Sequence, residues 1–322
     1  MRRIAACGVH SFAVAVFLSA GIRAADTAED LIARGSFQDA LPLLEAARDA
    51  AAASGRRDRE VAAVFNNLGS VYDELGRTRD AQSMYERSLA LRRELGEVGT
   101  RDAARTVNNL GTVYMKLGML TKAESALERA AAIETQLSGG DDLNVARVWV
   151  NLGMVYQAEQ RWDDAEAIFR KTLDVREREL GPLDREVAVS LNNLGVLLES
   201  RRRLEEAEPL LERAVRIWKT TIGALHPWVA AGLNNLGVVY TSLGRTSDAE
   251  ADFKQALQIA RAVLPANHPH LASYMSSYAR LLRQVGRKDE ARRLEESADR
   301  SRAAYRRENL LGVTVDMHQI RQ

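Results

Sequence analysis

The clearest feature of the sequence is a pattern of apolar and small residues that repeats every 42 positions. A Leu-Gly dipeptide occurs five times at this spacing, and a sixth copy has become Tyr278-Ala279. The five dipeptides are Leu68-Gly69, Leu110-Gly111, Leu152-Gly153, Leu194-Gly195 and Leu236-Gly237. An alanine column keeps the same spacing at Ala81, Ala123, Ala165, Ala207, Ala249 and Ala291. A fixed period of this length is typical of a protein built from stacked repeats.

The pattern within each repeat predicts two amphipathic helices. The Leu-Gly pair and a tyrosine or leucine three to four positions later fall on one face of the first helix, helix A. This column holds Tyr72, Tyr114, Tyr156, Leu198, Tyr240 and Leu282, and turn residues follow at Gly76, Gly118, Gln160, Arg202, Gly244 and Gly286. A glycine inside a helix costs about 1 kcal/mol relative to alanine. The glycine of helix A therefore predicts a partner helix that crosses too closely for a Cβ.

The second helix of each repeat, helix B, should open at polar residues that suit a first helical turn. Examples are Thr78, Thr121, Asp163 and Ser247. Its small alanine is then expected to face helix A, and the residue four positions later fills the remaining gap. These gap-filling residues are Tyr85, Leu127, Phe169, Leu211 and Phe253. Neither helix can bury its apolar face alone, so the repeats should stack on one another.

These columns resemble the tetratricopeptide repeat: apolar-x-x-Leu-Gly-x-x-Tyr, then glycine, then Ala-x-x-x-aromatic or leucine. Two further features resemble the kinesin-light-chain subtype of this repeat. They are Asn-Asn-Leu-Gly at 66–69, 108–111, 192–195 and 234–237, and His-Pro at 226–227 and 268–269. The resemblance covers residues 61–298 and implies an all-α, right-handed superhelical solenoid of about six to seven antiparallel helix pairs. Val150, Gln160 and Arg202 depart from the pattern.

The chain divides into a leader, a divergent first repeat, the main array and a tail. Residues 1–24 carry Arg2 and Arg3 before an apolar stretch, as in a secretory signal peptide. Residues 25–60 are interpreted as a divergent N-terminal repeat or cap. The array spans 61–305, with repeats starting near 61, 103, 145, 187, 229 and 271, and 306–322 form the tail. The protein is therefore expected to be exported, periplasmic or secreted, and a cytoplasmic location is the alternative.

Charge and cysteine content narrow the classes of partner. The sequence has 45 Lys and Arg against 44 Asp and Glu, so no nucleic-acid partner is expected. The Arg201-Arg202-Arg203 run and the terminal arginines should be solvated surface. The single cysteine, Cys7, lies in the predicted signal, so the mature chain has no thiol for a disulfide or a metal. Stable membrane insertion is not expected after signal cleavage.

No group of residues in the sequence points to catalysis, a metal or a cofactor. The sequence lacks a Gly-rich phosphate loop and the Gly-x-Ser-x-Gly and His-Glu-x-x-His motifs. The two His-Pro pairs are interpreted as helix starts with proline as the first helical residue. His268-x-His270 lacks the partners of a metal site. The tryptophans should be mostly core, and Trp228 is the candidate for exposure. A non-enzymatic protein is predicted.

The candidate binding residues lie on helix A. The strongest column is Asn67, Asn109, Asn151, Asn193 and Asn235. In related kinesin-light-chain and co-chaperone repeats such asparagines hold ligand backbone, and the resemblance implies that role here. The alternative is that each asparagine bonds a neighbouring helix and fixes the inter-repeat angle. Arg105, Arg147 and Lys116 could add a preference for a carboxylate-bearing ligand, although a solvated face is the favoured account of them.

The predicted function is that of an interaction scaffold. We expect an extended peptide segment of a partner protein to bind in the groove of the repeats, and the sequence does not identify the partner. The protein should be a monomer or self-associate weakly. Two alternatives remain: a structural or self-assembling protein with no groove ligand, and a cytoplasmic signalling adaptor.

Overall fold

The computed structural model describes the backbone of residues 27–314 and the side chains of residues 27–307. The predicted signal peptide with Cys7, and residues 315–322 of the predicted tail, lie outside this range. The described chain contains fourteen helices and no strand. They are α1 (27–33), α2 (Phe37–Ser54), α3 (Arg59–Glu74), α4 (Thr78–Glu94), α5 (Arg101–Lys116), α6 (Leu120–Ser138), α7 (Leu143–Ala158), α8 (Trp162–Leu180), α9 (Arg185–Ser200), α10 (Leu204–Thr221), α11 (Pro227–Ser242), α12 (Thr246–Val263), α13 (Pro269–Gln284) and α14 (Lys288–Thr314). The all-α fold of adjacent helix pairs is confirmed.

The 42-residue period of the sequence is also the period of the helices. Each helix A has 16 residues, and the six begin two positions before the predicted repeat starts, at residues 59, 101, 143, 185, 227 and 269. The helix B starts keep the same step, from Thr78 to Lys288. The last helix, α14, continues to Thr314, through residues that the sequence assigns to the tail.

The chain separates into two compact units, Met1–Gln160 and Arg161–Gln322. The described part of the first unit holds α1 to α7. In its core, Ala28 and Ala40 of the first helix pair pack in one apolar cluster with Leu68 and Tyr85 of the next. The described part of the second unit holds α8 to α14. Helices A and B alternate in both units, and within each unit a helix packs against the helices that precede and follow it.

The glycine of helix A marks a close approach between helices, as predicted. A Cβ on Gly69 would lie 2.6 Å from Cε1 of Tyr85, and one on Gly237 would lie 2.8 Å from Cε1 of Phe253. Atoms cannot approach this closely without displacement. The glycine column therefore makes room for the gap-filling column of helix B.

The turn between helices A and B keeps its left-handed residue even where glycine is absent. Gly76 and Gly244 have φ of 75°, while Gln160 has 61° and Arg202 has 62°. The left-handed conformation costs a non-glycine residue about 1 kcal/mol. Stacking therefore preserves the turn geometry at these two departures from the pattern.

Polar residues lie in the first turn of helix B as expected, because Thr78 is the first residue of α4 and Thr121, Asp163 and Ser247 are the second residues of α6, α8 and α12. They do not cap the helix. The N-cap positions are occupied by arginine at 77, 161, 203 and 245 and by Met119, and none makes a side-chain capping bond. Helix A is the capped helix. His226 and His268 accept the N–H groups of Trp228 and His270 through Nδ1, with proline as the first helical residue, as predicted.

Candidate functional site

Three of the five candidate asparagines lie on helices A of the first unit. Asn67, Asn109 and Asn151 are each the ninth residue of α3, α5 and α7, and each is partly buried. The side-chain amide of Asn151 donates from Nδ2 to Oδ1 of Asn108, at 2.9 Å. Asn67 donates in the same way to Glu29 of α1, at 2.8 Å. These amides thus join neighbouring helix pairs.

Asn109 has a different partner. Its side-chain oxygen accepts from Nδ2 of Asn108, at 3.4 Å. It also lies near the hydroxyl of Tyr85, the gap-filling residue of α4, whose pKa is raised by burial. Asn109 therefore lies beside a buried tyrosine of the helix pair before it.

The second unit contains the other two candidate asparagines, and only one of them has a hydrogen-bonded side chain. Asn235 of α11 donates from Nδ2 to Oδ1 of Asn192 on α9, at 2.9 Å, so the geometry of Asn151 and Asn108 recurs. Within the described residues, the side chain of Asn193 makes no hydrogen bond. The same column therefore contains bonded and unbonded amides.

The candidate cations all belong to the first unit. Arg105, Asn109 and Lys116 are separated by four and seven residues, so they share one face of α5. Arg147 and Asn151 share the matching face of α7. Arg105 Nη2 lies 3.0 Å from Asp102 Oδ1, whereas Lys116 Nζ is 2.8 Å from both carboxylate oxygens of Asp73.

Arg147 is the free cation of this set. It is exposed and forms no ion pair with any residue of the described chain. Two of the three predicted cations are thus engaged by carboxylates of their own chain. A ligand carboxylate could contact Arg147 directly but would compete with Asp102 and Asp73 for the others.

The second unit contains a set of inter-repeat ion pairs that the sequence pattern did not predict. The arginine at the N-cap of helix B bridges an acid in its own first turn and a glutamate of the preceding helix B. Arg245 lies 2.6 Å from Glu208 and 2.8 Å from Asp248. The equivalent set around Arg203 contains Glu166 and Glu206, and that around Arg287 contains Glu250 and Glu290. The 42-residue spacing of these columns was the available signal.

Two consequences follow from these ion pairs. Arg201 and Arg203 both reach Glu166, at 2.7 and 2.6 Å, so the expectation that this arginine run is only solvated surface is wrong. Hydrogen bonds from Arg287 and Lys254 hold the pKa of Glu250 at about 2. The carboxylate is therefore charged across the usual pH range and contributes to repeat stacking.

The described residues contain few groups suited to metal binding or catalysis. No cluster of three or more His, Cys, Asp or Glu residues in it could hold a metal ion. An open cleft of about 500 Å³ lies among α10, α11 and α12, and its lining includes Lys219, Tyr240 and Asp252. Burial raises the pKa of Asp252 to about 6, against the opposing effect of Lys219. Nothing at this cleft assembles a nucleophile with a base.

Comparison with known families identifies the repeat. The tetratricopeptide repeat model matches residues 24–94, 102–178, 144–220, 186–262 and 228–298, which together span most of the chain. The protein is a member of the tetratricopeptide repeat family. This fold is generally a non-enzymatic interaction scaffold that binds protein partners. No curated protein matches the chain in sequence.

Solved structures of similar fold include other tetratricopeptide proteins. A putative kinesin light chain from Podospora anserina with nearly identical repeats is 22% identical, with 63% of this chain and 96% of that chain covered and a TM-score of 0.53. The apo form of RapI is 14% identical, with 89% and 99% covered and a TM-score of 0.70. A Rap protein complexed with competence and sporulation factor is 14% identical, with 85% and 75% covered and a TM-score of 0.56. At these identities the likeness concerns the fold.

None of the helices described here is long and apolar enough to cross a membrane.

Proposed function

We propose that this tetratricopeptide protein binds an extended segment of a partner protein along the helix A face, and that it does so after export. The observation that carries the proposal is the column of partly exposed asparagines at the ninth residue of successive helices A. An asparagine side chain offers a donor and an acceptor, so a row of them can bond peptide backbone whatever its sequence.

The hydrogen bonds within the chain leave part of this capacity free. Asn151 uses Nδ2 for Asn108, which leaves its side-chain oxygen to accept a peptide N–H. Asn193 has both groups available. A peptide can therefore bond to Asn151 and Asn193 without first breaking a hydrogen bond of the chain. The side-chain oxygens of the other three already accept from the preceding asparagine, in the pairs Asn66–Asn67, Asn108–Asn109 and Asn234–Asn235.

The cations on the same helices favour a ligand that carries a carboxylate. Arg147 has no ion-pair partner in the described chain and lies one turn before Asn151. Arg105 holds the corresponding place on α5 and could replace its ion pair with Asp102 by one with a carboxylate of the ligand. Arginine binds a carboxylate with two parallel hydrogen bonds, which adds orientation to attraction. A Rap protein of similar fold is complexed with competence and sporulation factor, which supports the idea that this fold can bind such a factor.

The test is partner capture from envelope and secreted extracts with the chain lacking residues 1–24. A variant with Asn109, Asn151 and Asn193 changed to alanine should lose a partner that the parent protein retains. Asn108→Ala is the matched control, because it removes the inter-repeat bond with Asn151 but keeps the whole binding column. Helical content and monomeric mass should be equal in all three proteins.

Each remaining outcome has a definite meaning. If the triple variant and its parent retain the same partners, the asparagines serve only to fix repeat geometry. If the control loses the partner equally, the inter-repeat bond and not the ligand contact is responsible. Export is tested separately by N-terminal sequencing of the protein from its native cell, and an intact Met1 would overturn it.

A further inference from the structure

The edge of the second unit where helix B leads into helix A carries exposed apolar side chains. Leu183 and Leu225 stand 42 residues apart in successive loops, and each is 69% exposed. Trp228 at the start of α11 is 38% exposed. These three residues are called the loop edge below. We infer that the loop edge binds an acidic protein segment that also carries apolar side chains, at a site separate from the helix A face.

The loop edge is held in place by buried contacts. Trp218 is 3% exposed, donates from Nε1 to the carbonyl oxygen of Arg185 at 3.2 Å, and places its ring 6.0 Å from that of Trp228. It therefore touches the start of both α9 and α11. The ring of His226 packs edge-on against Trp228 at 5.3 Å. An exposed tryptophan that is already oriented loses little conformational entropy when a partner covers it.

Variation among the repeats shows that stacking does not require these apolar residues. The positions that correspond to Trp228 in the other repeats are Glu60, Asp102, Asn144, Glu186 and His270. Those that correspond to Leu225, besides Leu183, include Asp141 and Asn267. The same loops are polar elsewhere in the chain and still form. Exposed leucine and tryptophan here thus need a reason other than the repeat fold.

Exposed cations without an ion-pair partner lie on the helices around the loop edge. Neither residues 213–247 nor residues 253–288 contain an aspartate or a glutamate. Arg185, Arg216 and Arg261 are exposed, and within the described chain none of the three forms an ion pair. Arg216 also lines the cleft that contains Glu212, Asp248 and Asp252. Three glutamates near Leu183 already have arginine partners: Glu177 lies 2.6 Å from Arg213, Glu179 2.9 Å from Arg178, and Glu186 3.2 Å from Arg176. Asp184, next to Leu183, is used as the N-cap of α9 and accepts the N–H of Glu186. An acidic partner would meet free cations here.

The composition favours a protein partner over a lipid surface. Tryptophan and arginine are the residues most enriched among protein–protein hot spots. The exposed free cations are arginines, which pair bidentately with carboxylates. Lys219 also lacks an ion pair, but it is only partly exposed and acts electrostatically on Asp252 in the cleft. Binding to an anionic membrane usually takes a cluster of four to eight basic residues, and this edge has three exposed free ones. The fit is to a segment with aspartate or glutamate beside aliphatic or aromatic side chains.

The test uses a displayed library of random 12-residue peptides, selected on the full chain and on a variant with Leu183→Asn, Leu225→Asn and Trp228→His. Asparagine and histidine occupy equivalent loop positions at 267 and 270, so the variant should fold. The parent should select peptides rich in acidic and apolar residues, and a synthetic peptide of that consensus should bind the variant at least tenfold more weakly. Leu95→Ser with Val98→Ser is the matched control, because these residues are 39% and 40% exposed in the first unit. It should bind as the parent does.

A second pair of substitutions tests the charge. Arg216→Gln with Arg261→Gln should weaken the consensus peptide and remove most of the salt dependence of its binding. The inference is overturned if the variant selects the same peptides as the parent, or if the peptides lost are neutral or basic. It is also overturned if the loop edge serves only to bind vesicles of anionic phospholipid. The triple asparagine variant of the helix A face should keep the consensus peptide, so the two sites can fail independently.

Discussion

Trp218 lies against Gly232, the sixth residue of α11, and a Cβ on that glycine would lie 3.1 Å from Cζ3 of the indole. It would also lie 2.6 Å from Cγ2 of Val215. In the preceding repeat the corresponding residues are Arg176 and Ser190, whose side chains form a 3.0 Å hydrogen bond. The same pair of positions thus holds a large ring over a glycine in one repeat and a polar pair in another.

Gly232→Ala should therefore destabilise the second unit. Alanine favours a helix by about 1 kcal/mol over glycine, but overpacking costs typically 1–3 kcal/mol, and the contact with Val215 leaves no space. We expect a net loss of about 1 kcal/mol in the free energy of unfolding, measured by urea titration. Adding Val215→Ala should recover part of the loss. If Gly232→Ala stabilised the protein, α10 and α11 would have to move apart at little cost to make room for the methyl group.

Acid should weaken repeat stacking through Glu250. The pKa of this carboxylate is held at about 2 against an ordinary value of 4.5, first by Arg287 and then by Lys254. Because the folded pKa is lowered, the stabilisation is complete above pH 4.5 and disappears as the pH falls towards 2. The free energy of unfolding should fall more steeply between pH 4.5 and 2.5 in the parent than in Glu250→Gln. Parallel curves would mean that the ion pair contributes nothing.

Arg92 should be replaceable by methionine without loss of stability. Its side chain is 2% exposed, its Nε and Nη2 atoms have no hydrogen-bond partner in the described chain, and burial lowers its pKa. Its acidic neighbours would still have ion-pair partners after the substitution. Glu97 lies 2.7 Å from Arg59, and Asp102 lies 3.0 Å from Arg105. Replacing a buried ion by an apolar residue of similar size is often neutral or stabilising. A loss above about 1 kcal/mol in urea would instead indicate a bound water or ion that satisfies the guanidinium.

Two asparagines of one column should differ in their effect on stability. Asn235→Ala removes the bond to Asn192 and should cost about 1 kcal/mol. Asn193→Ala removes no side-chain bond and should cost little. Thermal unfolding of the two variants checks this difference, and Asn192→Ala should match Asn235→Ala. Equal losses for Asn193 and Asn235 would show that Asn193 has a structural role.

The repeat fold could be predicted from the sequence because its signals are local and recur. Leucine, glycine and tyrosine at helical spacing predict a face, and the 42-residue period places every helix A within two residues of its observed start. The candidate asparagines could be placed on those faces for the same reason. Which asparagine bonds which neighbour was not predictable, because the choice depends on the distance between stacked helices.

The sequence by itself therefore determined the helix pairs, their order and the family to which the chain belongs. Only the tertiary structure decided the partners across repeats. Arg203, Arg245 and Arg287 became bridging residues because stacking brings each one beside a glutamate 37 positions earlier in the chain. Trp228 became half exposed because Trp218 already fills the space beneath it. Local periodicity fixes the faces of helices, whereas contacts between side chains far apart in the chain depend on how those faces pack.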